Sequence, residues 1–312
     1  MALHLSGKFS TIIRYLQNRK FLALFGVVSE KYFGVNFHNI LLKRLNGGDQ
    51  IYFEFNDITM VLSLNDPGIS RELLHFGERE VEATEMMRTI YTNLKQQNDD
   101  KVVIIEIGAN RGYYAFQACK ILGDIGEVYA IEPAPENIKA LEQGKNINGF
   151  DSTLQIDQMA IGNENGKSEL LISNHSNCHT LGQIQSAPES IQRKYDGETR
   201  YVDVMTLDDY VDLNNIDPAE IDVVRMDVEG YEWHVFDGMD SIITADTALT
   251  IFCELHPHRV QSRRILSILE TLENNNFNIL SSGDAPDDYD GLKSYLNTND
   301  MSHTVELIVD KN

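Results

Sequence analysis

Acidic residues recur in this chain at one kind of place, the end of a short apolar run where a turn begins. Val102 to Ile105 lead into Glu106, Gly126 to Ile131 into Glu132, Ile221 to Met226 into Asp227, and Leu249 to Cys253 into Glu254. Carboxylates gathered at strand ends can accept hydrogen bonds from a ligand's amine or hydroxyls, and can take a proton from a weak nucleophile. After Glu106 come Gly108, Asn110 and Gly112, in the string EIGANRG, and then the helix-like segment YYAFQACKIL. A buried strand that turns through glycines into a helix is the nucleotide-cradling corner of an open α/β sheet. Glycine there lets a ligand lie against the backbone, and the helix start offers unpaired N–H groups.

The spacing is G-x-x-x-G, not the G-x-G-x-x-G of dinucleotide sites. A pyrophosphate would seek the helix N-terminus, and Glu106 beside it would repel that charge. A cationic amino group would instead be welcomed by Glu106. Glu132, 24 positions after Gly108, ends the next strand, where an acid can accept both hydroxyls of a ribose. Nicotinamide or flavin dinucleotides and S-adenosylmethionine both carry a ribose. The glycine spacing and Glu106 favour the second.

A second group lies further along. Asp227 and Glu229 stand two apart in the string MDVEGYE, and His256 follows the next strand. Each is a candidate general base for a hydroxyl acceptor, which is a poor nucleophile while protonated. Each also has a structural reading: a ligand-shell acid at Asp227, a helix-capping acid at Glu229, a hydrogen-bonded histidine beside Pro257. Arg225 precedes this group, and an ion pair with its acidic surroundings is the expectation for it. No metal site is expected. His175, Cys178 and His179 make an incomplete ligand set, as do His256 and His258. The acidic string DAPDDYDG over 284–291 lacks calcium-loop spacing and reads as a solvated loop.

The elements that must position these residues follow from periodicity. IYFEFNDITMVLSLNDPGIS over 51–70 predicts a hairpin and then a turn at Asn65 to Gly68. Ser70 to Leu94 reads as helix with a break at Phe76-Gly77. Beyond the opening strand come a strand at 126–132, a helix over 135–148, and strands at 153–161, 168–173 and 200–206. A short helix over 207–213 precedes the strand at 221–226, two helical pieces follow it, and the strand at 249–255 comes next. A helix over 261–275 and strands at 278–281 and 305–309 close the chain. Residues 174–198 lose periodicity, and a polar loop of that length in a compact domain is expected to serve function. Arg193, Lys194 and Arg200 at its end could steer an acidic sugar.

Composition narrows the class. At 312 residues, with 42% hydrophobic and 24% charged, the chain is an ordinary globular protein of one large α/β domain with additions or two smaller domains. Its net charge of -22 disfavours a nucleic-acid partner. The acid excess is also what a protein of a high-salt cytoplasm shows. Cys119, Cys178 and Cys253 are scattered without a C-x-x-C, so a reducing cytoplasm is expected and a disulfide framework is not. Residues 1–50 differ from the rest: seven basic residues stand against Glu30 and Asp49, interleaved with FLALFGVV and NILLKRL. A helical extension is expected there, packed on the acidic body or lying peripherally on the inner membrane face. No apolar run reaches the roughly 20 residues of a membrane span.

The ordered strings EIGANRGYY, AIEP, MAIG, TLDDY, MDVEGYE and ELHP, with FGERE upstream, resemble the FkbM family of S-adenosylmethionine-dependent methyltransferases across roughly residues 70–260. The resemblance implies the class I methyltransferase fold, a mostly parallel seven-stranded sheet with its last strand antiparallel and helices on both faces. It divides the chain into the extension 1–50, a hairpin and helical lead-in over 51–98, and a methyltransferase domain over 99–312. It implies S-adenosylmethionine as cofactor, lined by Glu106, Gly108, Asn110, Gly112 and Glu132, with Asp157 and Gln158 near the adenine. It implies O-methylation of a sugar, glycan or other small molecule, at a hydroxyl or a carboxylate, with loop 174–199 forming part of the acceptor site. The rival readings are a nicotinamide-dependent oxidoreductase and a membrane-peripheral scaffold that keeps the fold without the activity. Oligomeric state is not legible.

Overall fold

In the computed structural model the apolar runs become strands and the periodic segments between them become helices. The structure describes residues 28, 29, 32, 36–46, 48–98, 100–182, 189–259, 262–298 and 304–311. Most of the basic extension, including residues 21–27 of its apolar run, lies outside the described residues, as do 183–188 of the polar loop. No helix among the described residues is long and apolar enough to cross a membrane.

The chain forms two compact units, Met1–Val81 and Glu82–Asn312. The first holds helix α1 (Phe37–Asn46), the hairpin β1 (Gln50–Phe55) and β2 (Ile58–Ser63), and helix α2 (Ile69–Phe76). Asn56 and Asp57 close the hairpin at φ 48° and 59°, the left-handed pair that a two-residue turn between twisted strands requires. In the expected turn after β2 the Asp66 carboxylate accepts from Gly68 N–H and Ser70 N–H at 2.9 and 3.1 Å. Gly77 ends α2 in the left-handed conformation.

The second unit opens with α3 (Val81–Gln97), of which only Val81 belongs to the first. Its elements are β3 (Val102–Ile107), α4 (Tyr113–Leu122), β4 (Gly126–Ile131), α5 (Pro135–Asn148), β5 (Leu154–Asp157), β6 (Ala160–Ile161), β7 (Gly166–Ser173), α6 (Glu189–Gln192), β8 (Tyr195–Met205) and α7 (Leu207–Leu213). Then come β9 (Ile221–Met226), α8 (Glu232–Phe236), α9 (Asp240–Thr244), β10 (Leu249–Leu255), α10 (Ser262–Asn274), β11 (Asn278–Ser281), α11 (Tyr289–Thr298) and β12 (Val305–Lys311). Seven strands form the main sheet in the order β11-β12-β10-β9-β3-β4-β5. β12 runs antiparallel to both its neighbours, and the pairs among β10, β9, β3, β4 and β5 are parallel. Every residue of β3 is buried, the mark of a parallel strand covered on both faces. Val224, Ile251 and Leu307 carry the same core across the neighbouring strands.

One expectation is corrected and another is sharpened. The single strand expected over 153–161 is two strands in two sheets. After β5 the chain folds back at Asp157, whose carbonyl accepts from Met159 N–H at 3.2 Å, and β6 joins β8 and β7 in a three-stranded sheet. That sheet has its own small core of Ala160, Leu170, Ile172, Val202 and Val204. The acidic string 284–291 is a loop with exposed acids through Asp288, as expected, and its last residues open α11. Asp287 accepts from Ser282 N–H at 2.8 Å and Asp288 from Gly291 N–H at 2.7 Å, so these acids pin the turn into α11.

Candidate active site

From β3 the chain adds β4 and β5 on one side and then returns to lay β9 and β10 on the other. The crevice beyond the carboxyl ends of β3 and β9 is therefore a topological switch point, where open α/β sheets bind ligands. Gly108 sits there at φ 78°, and a Cβ on it would stand 2.1 Å from the Asp227 carbonyl oxygen. The two strand ends approach closely because this residue has no side chain. Gly112, at φ 90°, precedes α4, and a Cβ there would meet the Phe116 ring at 2.8 Å and Leu141 at 2.9 Å. Its absent side chain serves the packing of α4 on α5, and Gly112 is not on the cavity wall.

Glu106 does not reach the cavity wall either. In register with Arg225 on the adjacent strand, and 1% exposed, it accepts from Arg225 Nη1 at 2.6 Å. The guanidinium lies over the Tyr114 ring at 3.9 Å. Burial pushes the Glu106 carboxyl up to about 7 against the pull of Arg225. Burial also opposes the charge on Arg225, but Glu106 keeps its pKa above the ordinary value. The ion pair expected for Arg225 is present, and its partner is the acid that the sequence aimed at a ligand.

A cavity of about 550 Å³, counting the space open to solvent, lies beyond these strand ends. Gly108, Asn110 and Glu132 line it. Glu132 accepts from Asn110 N–H and Ala134 N–H, both at 2.9 Å, and from the Asn137 side chain at 3.3 Å. Burial outweighs these donors and raises its carboxyl to about 7. Asp157 and Gln158 are not on the wall; the Asp157 carboxylate accepts from Tyr210 Oη at 2.7 Å, and Gln158 is exposed. The residues just after them, Met159, Ala160 and Ile161, line the cavity instead. This shift follows from the turn at Asp157.

The polar loop contributes Ser176, Asn177, His179 and Thr180 to the wall. It is tied across the cavity by Asn110 Nδ2 and Asn137 Nδ2, which donate to the Ser176 carbonyl at 3.2 and 3.1 Å. Thr180 Oγ1 donates to the Glu229 carbonyl at 2.9 Å. Among the described residues, Asn110 Oδ1 and Asn177 Oδ1 are buried acceptors without a hydrogen-bond donor, an unmet capacity that a ligand's N–H or O–H groups would fill.

The second group assembles at the ends of β9 and β10. Asp227 and Glu229 line the cavity. Glu229 takes a left-handed φ of 57°, and its carboxylate pairs with Arg259. Burial raises the Glu229 carboxyl, opposed by His256 and Arg259. His256, 2% exposed, turns Nδ1 to Glu232 Oε1 at 2.7 Å. Its Nε2 faces Glu229 Oε2 at 3.6 Å, Glu254 Oε1 at 3.8 Å and Asp227 Oδ1 at 4.0 Å. Burial works against a charged imidazole here, but the Glu232, Glu229 and Glu254 carboxylates outweigh it and lift the pKa to about 10. All three expected base residues are thus brought together. Glu232 and Arg259, which hold two of them, were not singled out from the sequence. The signal for Glu232 was an acid at the first position of a helix after a glycine; Arg259 carried none.

An open sheet with one antiparallel strand beside the edge, and a cavity at its switch point lined by a second-strand acid, defines the class I methyltransferase architecture. The Methyltransferase FkbM domain matches residues 106–279, more than half of the chain. The chain belongs to this family and is an S-adenosylmethionine-dependent methyltransferase. No curated protein matches it. Among solved structures it is similar to the methyltransferase FkbM from Methylobacillus flagellatus, with 13% identity over 87% of this chain and 69% of that one and a TM-score of 0.40. It is also similar to TYW2 from M. jannaschii in complex with AdoMet, with 12% identity over 84% of both chains and a TM-score of 0.41. The SAM-dependent methyltransferase from Agrobacterium tumefaciens shares 8% identity over 84% of this chain and 70% of that one, with a TM-score of 0.41. The family assignment rests on the domain match, not on these distant likenesses.

Proposed function

We propose that the chain methylates a hydroxyl of a sugar, glycan or other small molecule, with the cofactor on the Gly108–Glu132 side of the cavity and the acceptor on the Asp227–Glu229 side. The observation that carries this reading is the cluster of Asp227, Glu229 and Glu254 around His256 at one end of the cavity. Asp227 and Glu229, the two carboxylates of that cluster on the cavity wall, would repel a carboxylate acceptor, so a neutral hydroxyl suits the site better than a uronate.

The cavity's acceptors fit S-adenosylmethionine: Glu132 for the ribose hydroxyls, and the open Asn110 and Asn177 oxygens for N–H or O–H donors. When bound, the cofactor supplies a methyl group on a sulfonium, which leaves as a neutral thioether. Asp227 lines the cavity with Arg225 Nη2 3.9 Å from its Oδ2, a looser contact than the Arg259 ion pair that engages Glu229, and His256 is buried beside both. Asp227 is therefore assigned the acceptor's proton as the new C–O bond forms and the S–C bond breaks. Positioning supplies much of the remaining rate.

The test is transfer of a labelled methyl group to a panel of neutral glycosides, uronates and phenols. Alkali-stable methyl ethers on neutral hydroxyls are expected, with turnover lowered about 10²–10⁴-fold in Asp227→Asn. Alkali-labile esters, or a variant with unchanged turnover, would contradict the reading.

A further inference from the structure

We propose that Asp227, Glu229 and His256 bind a divalent first-row metal ion of the Mn²⁺ or Zn²⁺ type at the acceptor end of the cavity. The role given to the ion rests on the O-methylation reading; whether it binds does not.

The geometry begins with His256. Its Nε2 is aimed into a group of carboxylates yet lies 3.6, 3.8 and 4.0 Å from their nearest oxygens, beyond hydrogen-bond length for each. His256, 2% exposed, thus directs this nitrogen at three acids at ion-pair distance and without a hydrogen bond to any of them. One ligand atom from each of Asp227, Glu229 and His256 lies within 4.8 Å of the others. Ligands about 2.1 Å from a common ion stand about 3–4 Å apart, so modest inward movement closes the set.

The surroundings match those of a held ligand set. Metal-bound histidines donate their other N–H to a carboxylate, which fixes the tautomer and the ring. Here His256 Nδ1 meets Glu232 Oε1 at 2.7 Å, and that oxygen is itself anchored by Gly230 N–H at 2.9 Å. Glu229 Oε2, the oxygen that faces His256, also pairs with Arg259, which donates as well to Tyr195 Oη at 2.9 Å and to the Glu229 carbonyl at 3.2 Å. The carboxylate has a second oxygen to offer. One imidazole with two carboxylates is a mixed donor set that suits Mn²⁺ or Zn²⁺ better than calcium, which prefers six or more oxygens. Asp227 and Glu229 line the cavity, so an ion there has an open side.

In that place the ion would act as a Lewis acid on the acceptor hydroxyl. It would lower the hydroxyl's pKa and fix its oxygen for in-line attack. The competing occupant is a proton on His256 Nε2, shared among the same carboxylates.

The test uses the full chain, stripped with a chelator and titrated with MnCl₂ while free Mn²⁺ is read by electron paramagnetic resonance. One bound Mn²⁺ per chain is expected, at least tenfold weaker in Asp227→Asn and in Glu229→Gln. Pulsed measurements on the bound ion should show a directly coordinated nitrogen. If either variant fails to fold, the nitrogen coupling in the wild-type chain decides alone. Binding equal in wild type and folded variants, or bound Mn²⁺ without a coordinated nitrogen, overturns the proposal. Methylation undiminished after chelation would remove the ion's catalytic role. Mn²⁺ binding in a chain that takes no S-adenosylmethionine would instead count against the functional reading and leave the metal site standing.

Discussion

The two ends of the cavity are built by opposite means. At the β3–β4 end the sequence places acids and glycines, but most of their capacity is spent inside the protein. Glu106 is closed by Arg225, Gly112 makes room for Phe116, and Gly108 lets β3 meet Asp227. What remains for a ligand is backbone, one edge of Glu132 and two carboxamide oxygens. At the β9–β10 end the acids stay collected around one histidine, with outer partners holding them in place. A wall of fixed, largely neutral groups suits a cofactor bound the same way at every turnover, whereas clustered charge suits the end where a proton must move.

Breaking the buried ion pair should give the largest effect on stability. Arg225→Met leaves Glu106 buried without its partner and should cost about 3–5 kcal/mol in denaturant unfolding, while Glu106→Leu with Arg225→Met should recover much of it. If Glu106 instead served the cofactor, the double variant would fold well and lose cofactor affinity, and the contrast between the two ends would weaken.

Gly108→Ala tests the junction of the two ends. Its Cβ would overlap the Asp227 carbonyl in a backbone conformation that disfavours side chains. A loss of about 3 kcal/mol is expected, measured by urea denaturation. A stable variant would mean that β3 and β9 can separate, and the shared crevice would not be fixed by this contact.

A smaller effect is expected from Glu132. Its carboxyl, raised to about 7 from the ordinary 4.5 by burial, holds a proton in the folded chain that the unfolded chain has released. Its contribution to stability is therefore full below about pH 4.5 and is lost as pH rises through 7. The loss between pH 5 and 7 should be about 2 kcal/mol, so Glu132→Gln should show a shallower decline in thermal midpoint over that range. Equal slopes would show that Glu132 stays ionised in the fold, which would make the cofactor end as charged as the other.

The fold was legible because period and punctuation carry it. The hairpin, the break at Gly77, the helix Pro135–Asn148 and the parallel strands stand where alternation, glycine and proline put them. The split between β5 and β6 was hidden, since a continuous apolar–polar pattern does not say which sheet its second half joins. At the site, residue types were legible and their partners were not. Glu106 and Arg225 are 119 positions apart, and only strand order and register bring them together. That pairing turned an acid expected on the ligand into one closed within the sheet. Asp227, Glu229 and His256 come together because adjacent parallel strands deliver their ends to one edge.

The central claim is that the cofactor lies against the Gly108–Glu132 wall. Its most direct test is calorimetric titration of S-adenosylmethionine and of NAD into the full chain and into Glu132→Ala. The account predicts one S-adenosylmethionine per chain with a Kd on the order of micromolar to sub-millimolar, at least tenfold weaker in Glu132→Ala, and no NAD binding. S-adenosylmethionine binding unaffected by Glu132→Ala, or tight NAD binding with none for S-adenosylmethionine, would contradict it.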